Sequence, residues 1–326
     1  MADATPADRV GIRKSSAKGG IASYAPTYGA LAALVVLLLV NAFLTPNFFD
    51  SNNFRNILLQ VSPTVLVAVG MTFVIATGGI DLSVGAIMAI ASATAAVLLN
   101  QGVLIAIAAG LVVAVTVGAL NGTLISTFRI QPIIVTLALL ITGRGVAQVI
   151  SNGGQLIPFT NPRFEYLGKG YIGPVPVQVV VMVLIVAAGI LVLRMTSFGR
   201  YVMAIGGNEA AARLAGIRVR RTKIAVYALS GLLAGIAGLI ETARLGASDA
   251  QKVGLNIELD AIAAVVVGGT PLTGGRATVV GTLIGALIMQ VITTSFNMNG
   301  ISFSWALVIK AAIIIVAVYI QRPKLA

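Results

Sequence analysis

Histidine and cysteine never occur in this 326-residue chain. Without histidine there is no imidazole base, no His–metal centre and no histidine proton relay. Without cysteine there is no disulfide and no thiolate metal site. Charge is scarce as well: 10% of residues are Asp, Glu, Lys or Arg, against roughly a quarter in ordinary soluble domains. A surface so poor in charge excludes a water-soluble globular protein. The pattern GxxxxGK followed by Ser or Thr is missing, so no phosphate loop for ATP is encoded. No nucleophile, base and orienting group stand out on which an intramembrane enzyme would be built.

What is abundant is apolar: 58% of residues are hydrophobic. A bilayer core about 30 Å thick takes roughly 20 apolar helical residues per crossing. Apolar runs rich in Gly and Ala, without strict alternation, favour helices over an outer-membrane barrel. The expected spans are 28–44, 61–78, 84–99, 104–127, 133–150, 177–193, 224–243, 257–269, 277–296 and 303–320. The expectation is therefore an all-α polytopic membrane protein of about ten transmembrane helices. The net charge of +12 marks topology. With the N-terminus inside, this assignment puts fifteen Lys and Arg in inner segments, five in outer loops and two, Arg144 and Lys310, in spans. That bias follows the positive-inside rule and places both termini in the cytoplasm; helices in place of a barrel make a bacterial inner membrane the expected location.

Residues 1–26 lack a hydrophobic core and read as a disordered cytoplasmic tail, not a signal peptide. The segment DSNNFRNILLQ at 50–60 reads as a short interfacial helix capped by Ser51 or Asn52. The proline- and glycine-rich stretch 151–176 reads as an ordered external loop. The span at 257–269 is short, and the pairs Gly78-Gly79 and Gly268-Gly269 interrupt hydrophobic stretches, so broken helices are expected there. GGIDLSVG at 78–85 and GGTPLTGG at 268–275 match at an offset of 190 residues, which suggests an internal two-fold repeat. Small residues four apart, Gly118 and Gly122, Gly231 and Gly235, Gly281 and Gly285, suit close helix packing.

Burying a charge in hydrocarbon costs at least about 2.5 kcal/mol, so ionisable groups within spans must meet protein or water. Asp81, Arg144 and Lys310 are candidates to line a translocation path, with Asn121 and Gln148 as uncharged hydrogen-bonding groups suited to a polyol. For each, a structural ion pair, cap or inter-helix bond is the competing reading, and Asp260 and Lys310 are placed to neutralise each other. Glu241 and Arg244 fall at the far end of the seventh span.

The loop 194–223 carries seven basic residues and Glu209 as its only acid. Within it, Glu209 to Leu214 are good helix formers, Asn208 is placed to cap them, and Gly216 stops them. The stretch GGNEAAARLAGI resembles the degenerate EAA loop of ABC importer permeases. GGIDLSVGAIMAIAS, the region 137–154 and ARLGASDAQKVGLNIELDAIAAVVVGGTPLTGGRATVVGTLIGALI resemble the ribose/xylose-type simple-sugar permeases, within the branched-chain amino acid permease superfamily. The likeness covers about residues 40–322.

The resemblance implies that 27–326 form one permease domain importing a monosaccharide such as ribose or xylose. It also implies that Gly207, Asn208, Glu209, Ala210, Ala211 and Gly216 belong to a helix that couples to a cytosolic ABC ATPase. That ATPase, which binds the ATP, a periplasmic sugar-binding protein and a second permease copy are the implied partners; no cofactor and no nucleic acid are expected here. A typical EAA loop has its Gly six residues after the Glu, whereas Gly216 lies seven after Glu209. Branched-chain amino acid import is the alternative within the superfamily, and ion-coupled secondary transport the alternative outside it.

Overall fold

The computed structural model describes residues 25–321; most of the tail expected over 1–26, and Arg322 and Lys324, lie outside them. Thirteen α-helices follow one another among the described residues: α1 (Ala25–Leu44), α2 (Ser51–Ala76), α3 (Val84–Leu98), α4 (Val103–Phe128), α5 (Pro132–Ile150), α6 (Pro162–Lys169), α7 (Val177–Met195), α8 (Ser197–Gly207), α9 (Glu209–Leu214), α10 (Val219–Leu245), α11 (Ile257–Val267), α12 (Val279–Met298) and α13 (Phe303–Gln321). The strands are two-residue clips: β1 (Ile157–Pro158) pairs antiparallel with β4 (Ala247–Ser248), and β2 (Tyr171–Ile172) with β3 (Val175–Pro176). The protein is all-α and polytopic. Eight helices are long and apolar enough to cross a membrane, and α13 adds the apolar stretch Ser304–Tyr319.

A helix closes its own peptide hydrogen bonds, so in lipid it satisfies nearly all polar backbone groups internally. Two crossings depart from that rule. α11 has 11 residues, about 16 Å of rise, which is half of a bilayer core. The span expected over 257–269 is therefore a half-helix, and the non-helical segment 249–256 precedes it. α3, at 15 residues, is likewise preceded by the non-helical turn 77–83 within the bundle.

The expected interfacial helix at 50–60 is not a separate element. It is the first part of α2, which runs unbroken through Pro63. Its cap is Asp50, which accepts from Asn52 N at 2.7 Å, and not Ser51 or Asn52; the carboxylate one residue earlier reaches the free amide. The loop 151–176 is ordered by α6 and the β1–β4 and β2–β3 clips.

The two Gly-Gly turns close alike. Gly78 has φ +79, with Gly78 N to Ile75 O at 2.8 Å and Gly79 N to Val74 O at 3.2 Å. Gly269 has φ +98, with Gly269 N to Val266 O at 2.9 Å and Thr270 N to Val265 O at 3.2 Å. This is the Schellman closure, with glycine at the left-handed position. The equivalent residues are thus 191 apart by geometry (Gly78 and Gly269), not the 190 of the sequence match. With two glycines available, the left-handed position falls on the first in one copy and on the second in the other.

The centre of the bundle is α2, α3, α10 and α11, with Leu66, Met71, Phe73, Met88, Tyr227 and Ala264 wholly enclosed. α1, α4, α5, α7 and α13 surround it and expose aliphatic stripes. The small-residue pairs do what their spacing suggests: a Cβ on Gly231 would collide with Ala114 O, one on Gly118 with Tyr227 O, and one on Gly285 with Ala264 O. α4 therefore lies against α10, and α12 against α11, backbone to backbone. Gly231→Ala should destabilise the protein by about 1–3 kcal/mol through overpacking. Gly145, in α5, has open space at its Cβ, so Gly145→Ala should be neutral or stabilising by up to about 1 kcal/mol. Thermal unfolding of both variants in detergent checks the contrast.

Candidate functional site: the α8–α9 lever and the broken helices

α8 opens with Thr196 Oγ1 accepting from Gly199 N at 3.3 Å, and buries Val202 and Ile205 on the bundle. It ends at the bundle's tightest contact. A Cβ on Gly206 would strike both the Ala76 carbonyl, at the end of α2, and Gly275 N, in the turn between α11 and α12. Gly275 N itself donates to Ala76 O at 3.0 Å. The C-terminal end of α8 thus rests directly on the ends of both broken-helix turns.

Asn208 then separates α8 from α9 and caps it, Oδ1 accepting from Ala211 N at 2.9 Å. α9 stops at Gly216, φ +81, with Gly216 N to Arg213 O at 3.1 Å and Ile217 N to Ala212 O at 3.1 Å. The seven-residue spacing from Glu209 is therefore six helical residues, a C-cap and the left-handed glycine. Ala212 is the face of α9 that packs on Ile205 and Val219. Ala210, Ala211 and Leu214 point outward, with Leu214 91% exposed.

Glu209 ties α9 to α10. Its Oε2 accepts from Lys223 Nζ at 2.6 Å and its Oε1 from Arg213 Nη2 at 3.0 Å. The Lys223 hydrogen bond, followed by the charges of Lys223 and Arg213, holds the Glu209 carboxyl below the usual carboxylate range. A depressed folded value means the clasp is at full strength above about pH 4.3 and fades only as pH falls through the lower folded value. It is closed at physiological pH. Beside it, between the α4–α5 turn and the start of α10, lies a basic cavity of about 640 Å³ lined by Arg129, Arg218, Arg220 and Arg221 among others.

The five residues expected along a path separate into three settings. Asp81 and Asn121 come together, both wholly buried. Asp81 Oδ1 accepts from Ser83 Oγ at 2.6 Å and Ser83 N at 3.1 Å, and Oδ2 from Ser230 Oγ at 2.9 Å. Asn121 Nδ2 donates to Ser83 Oγ at 2.8 Å. This knot joins the turn 77–83 to α4 and α10.

Arg144 seats the second irregular segment. Its guanidinium donates to the carbonyls of Ala250 (3.2 Å), Val253 (2.6 Å) and Gly254 (2.8 Å). Glu241 Oε2 accepts from Gly254 N at 3.3 Å. Gln148, one turn on, packs its Cγ on Gly154, and its carbonyl accepts from Gly153 N and Gly154 N. Lys310 forms the ion pair with Asp260, at 3.1 Å; the lysine side chain is 8% exposed and the carboxylate 40%. Sequence reasoning missed the seating of Ala250–Gly254 and the contact of Gly206 with Ala76, because both join segments far apart in the chain. It also missed Gln60 on α2, which is exposed and accepts from Gln290 Nε2 on α12 at 2.9 Å.

A polytopic helical bundle with unwound segments inside it and a short capped helix at one end is a fit scaffold for a transport permease, and comparison with known proteins identifies it as one. The chain belongs to the family described as "Branched-chain amino acid transport system / permease component", whose model matches residues 53–318. It is 44% identical over 300 residues to the ribose import permease protein RbsC of Escherichia coli K12, covering 90% of this chain and 93% of that one. It is 43% identical over 299 residues to the ribose import permease protein RbsC of Bacillus subtilis 168 (91% and 92%). It is 40% identical over 304 residues to the galactofuranose transporter permease protein YtfT of Escherichia coli K12 (90% and 89%). No solved structure matches the chain.

Asp81→Ala would leave the Ser230 hydroxyl buried without its acceptor, at a cost of about 1–3 kcal/mol, and Ser83→Ala, which strips the buried Asn121 Nδ2 of its acceptor, should cost a similar amount. Denaturation midpoints of the two variants, both below that of the parent chain, check that the knot holds the turn to α4 and α10.

Proposed function

We propose that this chain is the membrane-spanning permease subunit of an ABC importer for a monosaccharide, with ATP bound and hydrolysed on a separate cytosolic ATPase. The observation that carries the reading is α9: a helix capped at both ends, exposed on one face, clasped to α10 through Glu209, and joined through α8 to both broken-helix turns. A lever of this kind needs a motor, and the chain carries no phosphate loop of its own. The relatives are named as permeases for ribose, galactofuranose, fructose and L-arabinose, which favours a sugar over the branched-chain amino acid of the family description.

In this reading Gly207, Asn208, Glu209, Ala210, Ala211 and Gly216 form the surface gripped by the ATPase. The α9 end faces the cytoplasm, as do both termini, and α6 with the β clips faces the periplasm of a bacterial inner membrane. A sugar-binding protein docks on the 45–50, 151–176 and 246–256 side, and two permease copies make the working unit. When the ATPases close, α9 moves with α8. The Gly206 contact then passes the displacement to the end of α2 and to the α11–α12 turn, while Arg144 and the Asp81 knot keep the unwound segments attached to their helices.

ATP-dependent uptake into vesicles bearing this chain, its ATPase and its binding protein should be blocked by D-ribose or a related sugar and not by leucine. The reverse pattern would establish the amino acid reading. Deletion of 207–216, or Glu209→Lys, should abolish uptake and loosen ATPase association while membrane insertion is unchanged; normal uptake after the deletion would end the coupling role. Gly206→Val should leave the ATPase bound yet lower uptake about tenfold or more, within the usual range of coupling energies.

A further inference from the structure

Most spanning helices meet their surroundings through aliphatic side chains. The exposed stripes of α1 (Leu31, Val35, Leu39) and α4 (Leu104, Val112, Leu120) carry neither an amide nor a charge. One seam differs. Gln60 on α2, Gln290 on α12 and Asp260 on α11 all keep exposed surface. Gln60 ends the polar first turns of α2, about 14 Å of helix from Ser51 and at the edge of the span expected over 61–78, and Gln290 is about 12 Å of helix from Met298, well inside α12. Gln60 and Asp260 line a cleft of about 150 Å³ together with Thr64, Glu241, Arg244 and Lys252, and Gln290 adjoins it through Gln60. Gln290 Nε2 donates to Gln60 Oε1 and, at 3.2 Å, to Thr294 Oγ1.

Amides and a half-exposed carboxylate at that depth cannot face hydrocarbon, where a central Asp alone costs about 2.5–3.5 kcal/mol on the lenient scale. They must meet water or protein. The chemistry narrows the choice. The pair Gln60 and Gln290 retains donors and acceptors beyond its one mutual bond. Asp260 keeps free acceptor capacity beside a single Lys310 contact. Closely set amide and carboxylate groups are the complement of vicinal hydroxyls, which present a donor and an acceptor on each carbon. A wholly apolar amino acid side chain would leave these groups unpaired.

We infer that the seam formed by Gln60, Thr64, Gln290 and Asp260 is the outer half of the translocation path, holding water when empty and sugar hydroxyls in transit. This inference rests on the permease reading above. It makes Gln290 and Gln60 substrate-contacting groups, and it leaves Asp81 and Asn121, wholly buried in their knot, as groups that hold helices together.

The absence of cysteine makes the test clean. Single-cysteine variants Gln60→Cys and Gln290→Cys, assembled with the ATPase and binding protein in right-side-out vesicles, are treated with a membrane-impermeant charged thiosulfonate. Val112→Cys, on the lipid-facing stripe of α4, is the control. Both seam cysteines should react at least about tenfold faster than the control, lose uptake on modification, and be slowed by saturating D-ribose, L-arabinose or D-fructose. Separately, Gln290→Ala should raise the half-saturating sugar concentration about fivefold.

Reactivity no greater than at Val112→Cys, or modification that neither stops uptake nor responds to any of the three sugars, overturns the inference. Where Gln60→Cys assembles poorly, Thr64→Cys reports on the same cleft. The permease reading is judged apart, by whether the unmodified cysteine-free chain moves any of these sugars; if it moves none, that reading fails, while seam reactivity still tells whether the cleft holds water.

Discussion

The guanidinium of Arg144 holds three backbone carbonyls of a segment that has no helix of its own, and much of the bundle is arranged around that fact. A peptide group without a partner in hydrocarbon costs several kcal/mol, so residues 249–256 exist at this depth because α5 presents a fork of donors to them. Glu241 takes the amide of Gly254 from the other side. Gly254, at φ +65, lies so close to Gly85 that its own Cβ would meet the Gly85 carbonyl. Ser92, Ser248 and Thr242 close the top of the segment with buried hydroxyl bonds of 2.6 and 2.7 Å. The same requirement explains the Asp81 knot, which pays for the other interruption between α2 and α3.

Unwound backbone inside a bundle is useful as well as costly. A continuous helix transmits motion only as a rod, whereas a half-helix ending in a left-handed glycine can pivot at the turn. Both such turns meet at the C-terminal end of α8, where Gly206 permits contact between main chains and a larger residue would force them apart. The C-terminal end of α8 therefore touches both of these turns. The clasp of Glu209 on Lys223 holds α9 to α10, and the lowered pKa of its carboxyl keeps that hold independent of pH across the physiological range.

Much of this architecture was legible in the sequence. The apolar runs gave the spans to within about five residues, except that α2 starts about ten residues before the span expected over 61–78. Asn208, Glu209 and Gly216 were read as cap, dipole partner and stop, and they are. These are local features, settled by a residue and its neighbours within one or two turns. The pairing of Asp260 with Lys310 was also legible, because so few charges are available that each has few candidate partners. The offset of the two Gly-Gly turns was misread by one residue, since two adjacent glycines are equally able to take a positive φ and only the surrounding backbone chooses between them.

What the sequence by itself determined, then, is the solvent of the protein, its helical class, the positions of its Gly-Gly interruptions and the caps of α9. Tertiary structure alone decided which groups serve those interruptions: Arg144 on carbonyls more than a hundred residues away, Gly206 on Ala76 and Gly275, Gln290 on Gln60. Propensity and hydropathy act over a turn of helix and can be read along the chain. Satisfaction of polar groups inside a membrane is a property of whichever helices come to lie side by side, and nothing in the local sequence names the neighbour.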